Sequence, residues 1–392
     1  MKLQCAALLV AAIVLESCVQ APVTPVAVPS AQPTSPIAAT TITAVTAEPT
    51  KAPTAVPTLV PTSLALSAPT STSVPKIAFT QVAAGGCCMQ PFFSPDGARV
   101  MFLDKPGAGA ATGIYAVALD NPLSPPQFFN AHPGPYNQDM TLAIDLVNGA
   151  TTVRRLADKT GFSVNNGGRF ISFSPDGKRM LWMVGEDAGG FDVRKSDITL
   201  ANADGTTPQV IASRYGGGAV AWFADSQHLL LTGRSSRADK TSRFSVLNIT
   251  DKSVRDLVAV ERARSVQLSP GDKWLLYLVA QAQDEVNDGT FIVSTNEQSP
   301  QPRRLPLFGS FRWCSPDKLL FVPLTLNAPS NELWVVDAPT GAQTQLMSAS
   351  ADSPFKILNG DWTVDTHGSP RIAFVNAQDK NIWVAALGKA CS

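Results

Sequence analysis

The five-residue segment Phe-Ser-Pro-Asp-Gly most constrains how this chain can fold, because it recurs. It stands at Phe93–Gly97 and, letter for letter, at Phe173–Gly177, and near copies begin at Leu268 and Cys314. Ser-Pro-Asp-Gly is turn chemistry, since proline presets φ, aspartate binds its own backbone and glycine accepts the left-handed conformation. An apolar run follows each exact copy. The pattern predicts β-hairpins whose strands are buried on both faces, as in a sheet packed between two other sheets.

Weaker copies of the segment complete a regular series. They lie at Tyr136–Asp139, Trp222–Asp225 and Trp362–Asp365, each before a further apolar run. The serine position of the repeat then falls at residues 94, 137, 174, 223, 269, 315 and 363, at intervals of 43, 37, 49, 46, 46 and 48 residues. This period is typical of a β-propeller with one four-stranded blade per repeat.

The repeat, a Phe-Ser-Pro-Asp-Gly segment followed by an apolar strand, resembles the TolB-type, WD-repeat-like β-propeller repeat over residues 76–388. The resemblance implies an all-β propeller of seven blades, with six as the alternative. It implies little about chemistry, because propellers of this type serve as binding proteins, scaffolds and accessory domains of peptidases. The function must therefore be argued from a site.

The two ends of the repeat region suggest how the ring closes. Lys76–Val82 forms a strand-like run before the first hairpin, whereas the last repeat ends after its third strand, Asn381–Leu387. We expect the first run to supply the missing outer strand of the last blade, because closure removes open sheet edges. Alternating strand direction puts the turns after the first and third strands of every blade on one face, the short-turn face. The longer connections lie on the opposite, long-loop face.

The chain before the propeller divides into two segments. Residues 1–18 start with a positive charge at Lys2 and continue with an apolar run too short to span a bilayer. Leu15–Cys18 resembles a bacterial lipobox, which implies a signal peptide and lipidation of Cys18; the alternative is an ordinary secretory signal. Residues 19–75 hold eleven prolines, no aromatic residue and two charges. This composition predicts a disordered linker between the membrane and a propeller over 76–392.

The long-loop face has a possible ligand site at its axial opening. The repeat places Arg169 and Arg264 at equivalent positions, with His132 in the same frame and Arg312 nearby in its own blade. No acidic residue occupies the equivalent positions, so we expect this opening to favour an anionic group such as a carboxylate or an acidic sugar. The alternative is that these side chains are solvated or paired with neighbouring carboxylates.

The cysteines of an extracytoplasmic protein can form disulfides. The adjacent pair Cys87 and Cys88 predicts a vicinal disulfide, with pairing of one of them to Cys391 as the alternative. Cys314 takes the phenylalanine position of its repeat, which predicts a buried thiol that acts as an apolar side chain.

Several function classes find no support in the sequence. The formal net charge is +0, which argues against a nucleic-acid partner. The three histidines have no metal-ligand spacing, and no nucleophile elbow or other catalytic constellation is present. We therefore expect no cofactor, a monomer, and membrane contact only through the lipid. The favoured function is a lipid-anchored module that binds an envelope protein or glycan. The alternatives are a hydrolase or lyase acting on an extracellular polymer, and a structural envelope spacer.

Overall fold

The computed structural model describes residues 77–83, 89–105, 109–187, 189–281, 287–306, 308–368 and 370–391. The predicted signal peptide with Cys18, the linker and the Cys87–Cys88 pair lie outside these residues. The described part contains 26 strands and one short 3-10 helix, Phe191–Val193. None of its helices is long and apolar enough to cross a membrane.

The strands form six antiparallel sheets, one of which has seven strands. That sheet contains the long strand β12 (Gln209–Trp222), whose first half pairs with the strand before it and whose second half pairs with the strand after it. Divided at β12, the sheets of the described residues give seven consecutive units. We number these units 1 to 7 in the order of their hairpins.

The units have the following strands. Unit 1 contains β2 (Met89–Phe93), β3 (Arg99–Asp104), β4 (Gly113–Ala118) and β5 (Gln127–Asn130). Unit 2 contains β6 (Leu142–Val147), β7 (Ala150–Arg155) and β8 (Gly161–Val164). Unit 3 contains β9 (Ser172–Phe173), β10 (Arg179–Gly185), β11 (Lys195–Asn202) and the start of β12. Unit 4 contains the end of β12, β13 (His228–Arg234), β14 (Arg243–Asn248) and β15 (Val254–Ala259).

The remaining units follow the same order. Unit 5 contains β16 (Ala263–Leu268), β17 (Trp274–Val279), β18 (Gly289–Ser294) and β19 (Arg303–Leu305). Unit 6 contains β20 (Gly309–Ser315), β21 (Lys318–Pro323), β22 (Leu333–Asp337) and β23 (Gln343–Met347). Unit 7 contains β24 (Ile357–Asp365), β25 (Arg371–Asn376), β26 (Ile382–Ala386) and β1 (Phe79–Ala83). In unit 2 an isolated bridge at Tyr136 stands where the other units have their first strand.

The recurring turn has one hydrogen-bond pattern at five of the seven predicted positions. The residue at the serine position donates its N–H to the carbonyl five residues on, and its own carbonyl accepts from the N–H three residues on. This pair of bonds occurs at Ser94, Asn137, Ser174, Phe223 and Ser269. Two of these residues are not serine, so the backbone geometry of the turn survives a change of side chain.

Side-chain hydrogen bonds explain why the two exact copies share serine and aspartate at the same positions. Ser94 donates its hydroxyl to Asp96 over 2.5 Å, and Ser174 does the same to Asp176 over 2.6 Å. Each aspartate also accepts a backbone N–H two residues later. Gly97 has φ +65°, and a Cβ there would lie 2.9 Å from an oxygen of Asp365 in unit 7. Glycine is therefore required at this position both by the turn and by the close approach of the last unit.

Units 6 and 7 close their hairpins differently from the prediction. In unit 6 Ser315 pairs directly with Lys318, which leaves only Pro316 and Asp317 in the turn. In unit 7 the pairing continues beyond the predicted position 363 to Asp365, which faces Arg371. The unit 7 turn is thus two residues later than the sequence suggested, because the strand pairs until the buried Asp365 carboxylate meets the Arg371 guanidinium at 2.5 Å.

Seven hydrophobic clusters fill the spaces between consecutive units. Six of them join units 1 and 2, 2 and 3, and so on to units 6 and 7. The seventh joins unit 7 back to unit 1, and it includes Val100 and Phe102 from one side and Ala373 and Val375 from the other. The first strands lie innermost, since β24 contacts both β20 and β2. The described chain is therefore a closed all-β ring, as a propeller requires.

The N-terminal strand closes this ring as the sequence predicted. Thr80 pairs with Val384 and Gln81 with Trp383, so β1 is the outer strand of unit 7. Phe79 packs with the rings of Phe355 and Phe374 at centroid distances of 6.0 and 5.9 Å. The edge of the last sheet is thereby paired, and both ends of the ring contribute to one unit.

The disulfide of the described chain was not the one expected. Cys314 and Cys391 are bonded, with their Cα atoms 5.9 Å apart, so the predictions of a free thiol at Cys314 and of a partner for Cys391 among Cys87 and Cys88 were wrong. Cys314 is buried as expected, at 2% exposure. The physical reason for its pairing is the strand direction. Cys314 ends the first strand of unit 6 and Cys391 follows the third strand of unit 7, so both reach the short-turn face on neighbouring units.

Candidate functional site

His132, one of the four predicted ligand-binding residues, is held within unit 2. Its Nε2 lies 2.7 Å from Asp145 Oδ1, and its Nδ1 accepts the N–H of Gly134 over 2.9 Å. Because Nδ1 is an acceptor there, the ring hydrogen belongs on Nε2, which donates to the carboxylate. The hydroxyl of Tyr136 also donates to the His132 carbonyl. These contacts order the connection between β5 and β6.

Arg169 is directed to its own loop. Its Nη1 donates to the carbonyl of Asn166 over 2.7 Å, and its carbonyl accepts the amide of the same asparagine over 2.8 Å. The hydroxyl of Thr151 donates to this carbonyl as well, over 2.6 Å. No carboxylate within ion-pair distance is recorded for Arg169 in the described chain. The observed contacts of Arg169 are with Asn166 in the same loop, and they stabilise that loop.

Arg264 occupies the equivalent place in unit 5 and is solvent-exposed. It pairs through its backbone with Leu278 near the start of β16. Its side chain has neither a hydrogen bond nor an ion pair within the part of the chain that the structure describes. The equivalence that the repeat predicted for Arg169 and Arg264 thus holds for their place in the chain, while their side-chain surroundings differ.

Arg312 is partly buried. It lies on β20, with its guanidinium 5.4 Å from the centre of the Trp362 ring on β24 and Nη1 donating to the Phe311 carbonyl over 2.8 Å. Burial lowers the pKa of Arg312, an effect that the nearby charge of Asp361 opposes. Even so, the guanidinium stays protonated at neutral pH, because its ordinary pKa is above 12.

Asp361 is the opposite charge that faces Arg312 between the first strands of units 6 and 7. Burial raises the pKa of Asp361, although the Arg312 charge acts in the other direction. The two groups influence each other but form no ion pair within 4.0 Å in the described residues.

A cavity lies on the other face of the ring. It has a volume of about 690 Å³ and opens on the short-turn face, where sequence reasoning placed no site. Its wall consists of recurring turns and the ends of first strands from units 2 to 6, namely Gln138, Pro175, Asp176, Trp222, Ala224, Asp225, Ser226, Leu268, Ser269, Pro270, Gly271, Asp272 and Trp313. The signal that could have located it was the repeat itself, since identical turns around an axis must surround a common opening.

The turns that form this wall are tied to one another across the units. The N–H of Asp176 donates to the hydroxyl of Ser226 over 3.0 Å, which joins units 3 and 4. The N–H of Ala224 donates to Asp272 Oδ2 over 2.5 Å, which joins units 4 and 5. Hydrogen bonds between turns therefore link three of the five units that surround the cavity.

Three aspartates give the cavity a negative charge. Hydrogen bonds from Ser174 and the Lys178 backbone lower the pKa of Asp176. Burial raises the pKa of Asp225, but hydrogen bonds from His228 and two backbone N–H groups outweigh it and leave that pKa below its ordinary value. Burial also raises the pKa of Asp272, and the neighbouring Asp225 charge adds to this. Asp272 Oδ1 accepts no hydrogen bond within the described chain.

Three tryptophans stand on first strands, and two of them have hydrogen-bond partners. Trp222 donates its indole N–H to the Ser172 hydroxyl over 3.3 Å, and Trp362 donates to Ser310 over 2.9 Å. Trp313, which is among the residues around the cavity and is 7% exposed, has a buried indole N–H with no acceptor among the residues that the structure describes. Such an unmatched donor costs about 1–3 kcal/mol.

No group of three or more His, Cys, Asp or Glu side chains that could hold a metal ion occurs among the residues that the structure describes.

Comparison with known proteins concerns the fold. No family model and no curated protein matches the chain. Among solved structures, an oligogalacturonate lyase in complex with manganese is similar with a TM-score of 0.52 and 14% identity, over 81% of this chain and 97% of that chain. The oligogalacturonate lyase of Vibrio parahaemolyticus has a TM-score of 0.54 and 11% identity, over 82% and 96%. TolB from Acinetobacter baumannii has a TM-score of 0.37 and 13% identity, over 79% and 78%. The chain thus has the fold of the two lyases, and TolB is among the structures to which it is similar.

Proposed function

We propose that this protein is an extracytoplasmic binding propeller, held to the membrane by a lipid on Cys18, that binds an acidic sugar or a similar carboxylate through Arg312. The observation that carries the proposal is the Arg312 guanidinium. It is half-buried between first strands, it lies over the Trp362 ring, and no carboxylate of the described residues is within ion-pair distance of it. A desolvated guanidinium binds a carboxylate far more strongly than an exposed one, and it does so with two parallel hydrogen bonds.

Asp361, the carboxylate beside Arg312, narrows the choice of ligand. Asp361 accepts hydrogen bonds and repels a bare anion, so the best ligand places a carboxylate on Arg312 and a hydroxyl on Asp361. Acidic sugars carry both groups on neighbouring carbons. The two lyases of similar fold are named for oligogalacturonate, a polymer of such sugars. A glycan of this chemistry is therefore our first candidate, ahead of an envelope protein with exposed carboxylates.

The proposed location rests on two features. The first is the lipobox-like Leu15–Cys18 segment behind a short apolar run. The second is the Cys314–Cys391 bond, since structural disulfides persist in oxidising compartments and are rare in the reducing cytosol. We propose that the protein acts there as a monomer and reaches its ligand at the end of the linker formed by residues 19–75.

Replacement of Arg312 tests the binding site. Arg312→Gln should weaken binding of a short oligogalacturonate by about 2 kcal/mol or more, which is at least about thirtyfold, because a desolvated charge contact is lost. Lys252→Gln is the matched control. It removes the same charge from an exposed turn of unit 4 and should change affinity less than about twofold. Isothermal titration against the acidic oligosaccharide and its neutral counterpart measures both. Equal binding of the two sugars, or an unchanged affinity in Arg312→Gln, would contradict the proposal.

A polymer-cleaving enzyme is the second candidate, and Asp361 favours it. A half-buried carboxylate with a raised pKa beside a guanidinium is a plausible general base next to a bound acidic sugar. Analysis of the oligosaccharide after the titration decides between a binding module and an enzyme. Release of shorter or unsaturated products during incubation assigns a hydrolase or lyase, whereas an intact ligand assigns a binding module. Absence of any saccharide binding would leave the spacer function instead.

The lipid anchor has a test of its own. Cys18→Ser should release the protein from the membrane fraction or block its processing, because no acyl chain can then be attached. Fractionation and the mass of the mature N-terminus measure this. A normally processed Cys18→Ser protein that stays in the membrane fraction would show that another segment provides the anchor.

A further inference from the structure

We propose that the site formed by Arg312, Trp362 and Asp361 is regulated by pH, because Asp361 takes up a proton from solvent when an acidic sugar binds. This inference rests on the proposed function, in which a carboxylate of the ligand contacts Arg312. Asp361 lies on β24, the first strand of unit 7, which is in contact with β20, the strand that carries Arg312. The regulating group is thus on the unit next to the binding group.

Asp361 lies in a β-bulge beside Arg312. The pairing of β24 with β25 shifts register just before Trp362, and Gly360 in this interval has φ +74°. A bulge leaves its residues without a regular cross-strand partner and redirects their side chains. Trp362, the next residue, is fixed against unit 6 by its hydrogen bond to Ser310 over 2.9 Å and by the Arg312 guanidinium over its ring. The Asp361 backbone is therefore held one residue away from the ring that Arg312 covers.

Arg312 is the charge that acts on the Asp361 carboxylate. That carboxylate is partly buried and has neither a hydrogen bond nor an ion pair within the described residues. Three strands contact β24, namely β2, β20 and β25. The sequence of β2 has no ionisable side chain, and that of β20 has Arg312 besides the disulfide-bonded Cys314. The charge on β25 is Arg371, which is held by Asp365 at the turn end of the hairpin.

Binding of an anion at Arg312 should raise the pKa of Asp361. In the free site burial raises the pKa of Asp361, and the Arg312 charge lowers it. A ligand carboxylate neutralises that positive charge and adds a negative one, so both changes favour protonated Asp361. A group whose pKa is higher in the complex binds a proton on association, and the affinity increases as the pH falls through that range. The increase ends where the sugar carboxylate is itself protonated, near the ordinary carboxyl pKa of about 4.

Calorimetry on the full chain tests the coupling, with a short oligogalacturonate as the probe. Titration at one pH in two buffers of different ionisation enthalpy gives the number of protons taken up per ligand. We expect about half a proton near pH 5.5, almost none near pH 7.5, and an affinity about threefold or more higher at the lower pH. The neutral counterpart of the sugar should cause no proton uptake, because it brings no charge to Arg312.

Asp361→Asn separates this coupling from the titration of any other group. Asparagine keeps the shape of the side chain but cannot ionise, so the variant should bind oligogalacturonate without proton uptake. Near pH 7.5 it should bind about three- to tenfold more tightly than the native chain, because a like charge is removed. A side chain with a merely structural role would not give this gain. The urea midpoint shows whether the variant is folded, and the heats of the native chain test the coupling without any variant.

The possible results distinguish this inference from the proposed function. Binding of oligogalacturonate by the native chain without proton uptake overturns the inference and leaves the Arg312 site in place. Equal pH dependence in Asp361→Asn, or weaker binding by the folded variant near neutral pH, overturns it as well. A native chain that binds no acidic sugar at any pH overturns the proposed function and this inference together.

Discussion

Joint replacement of Cys314 and Cys391 by alanine should lower the free energy of unfolding by about 4 kcal/mol. The bond closes a loop with a sequence separation of 77 residues, and a cross-link of that length removes much of the entropy of the unfolded chain. Both residues are 2% exposed and belong to the hydrophobic cluster between units 6 and 7, so the alanine pair also loses some packing. Urea unfolding, followed by tryptophan fluorescence, measures the difference.

Reductant provides the control for this prediction. Dithiothreitol should shift the unfolding midpoint of the native chain toward that of the double variant. The same treatment of the variant measures the effect of reducing any other disulfide, such as the predicted Cys87–Cys88 bond. If the native midpoint does not move under reducing conditions that break the bond, the link between units 6 and 7 contributes nothing to stability and the prediction is wrong.

Removal of the N-terminal strand should destabilise the ring by about 5 kcal/mol and cause aggregation. Val82 and Ala83 are 3% and 5% exposed, and Phe79 packs on Phe355 and Phe374. Burial of such side chains contributes about 1.5–3 kcal/mol each. Deletion of residues 19–83 also leaves β26 with an unpaired edge, which is a template for intermolecular strand pairing.

The shorter deletion of residues 19–75 is the matched control, because it keeps β1. It should unfold at the native midpoint and stay monomeric in size-exclusion chromatography. At the level of single residues, Phe79→Ala should reproduce much of the loss, whereas Thr80→Ala, on the exposed side of the same strand, should change stability by less than about 0.5 kcal/mol. A monomeric, fully stable 19–83 deletion would show that β1 is dispensable.

The hairpins and the closing strand could be predicted from the sequence, because their determinants are local. Proline and glycine fix the backbone angles of the two exact copies. The weak copies at Asn137 and Phe223 have neither residue in the turn, yet they form the same backbone hydrogen bonds with Met140 and Ser226 at positive φ. Prediction failed at the last two turns. Asp365 is fully buried as a side chain and pairs with Arg371, and this contact extends β24 beyond the residue that the repeat indicated.

The candidate sites depended on tertiary structure to a larger extent. Arg169 and Arg264 have the same repeat position, yet one binds its own loop and the other is exposed. Arg312 stands out only because β24 brings Trp362 and Asp361 beside it. Burial and charge around a side chain come from neighbouring strands some 50 residues away, as the separation of Ser310 and Trp362 by 52 residues illustrates.

The sequence by itself determined the repeat, the geometry of five of the seven turns and the closure of the ring by both ends. Only the tertiary structure decided which cysteines bond and where a cavity opens. Strand direction already placed Cys314 and Cys391 on the short-turn face, but their bond needs two specific units to be adjacent in space. The cavity likewise belongs to no single repeat. It exists because the ring brings turns from five units around one opening. The distances between those turns depend on how the units pack, which the sequence pattern does not specify.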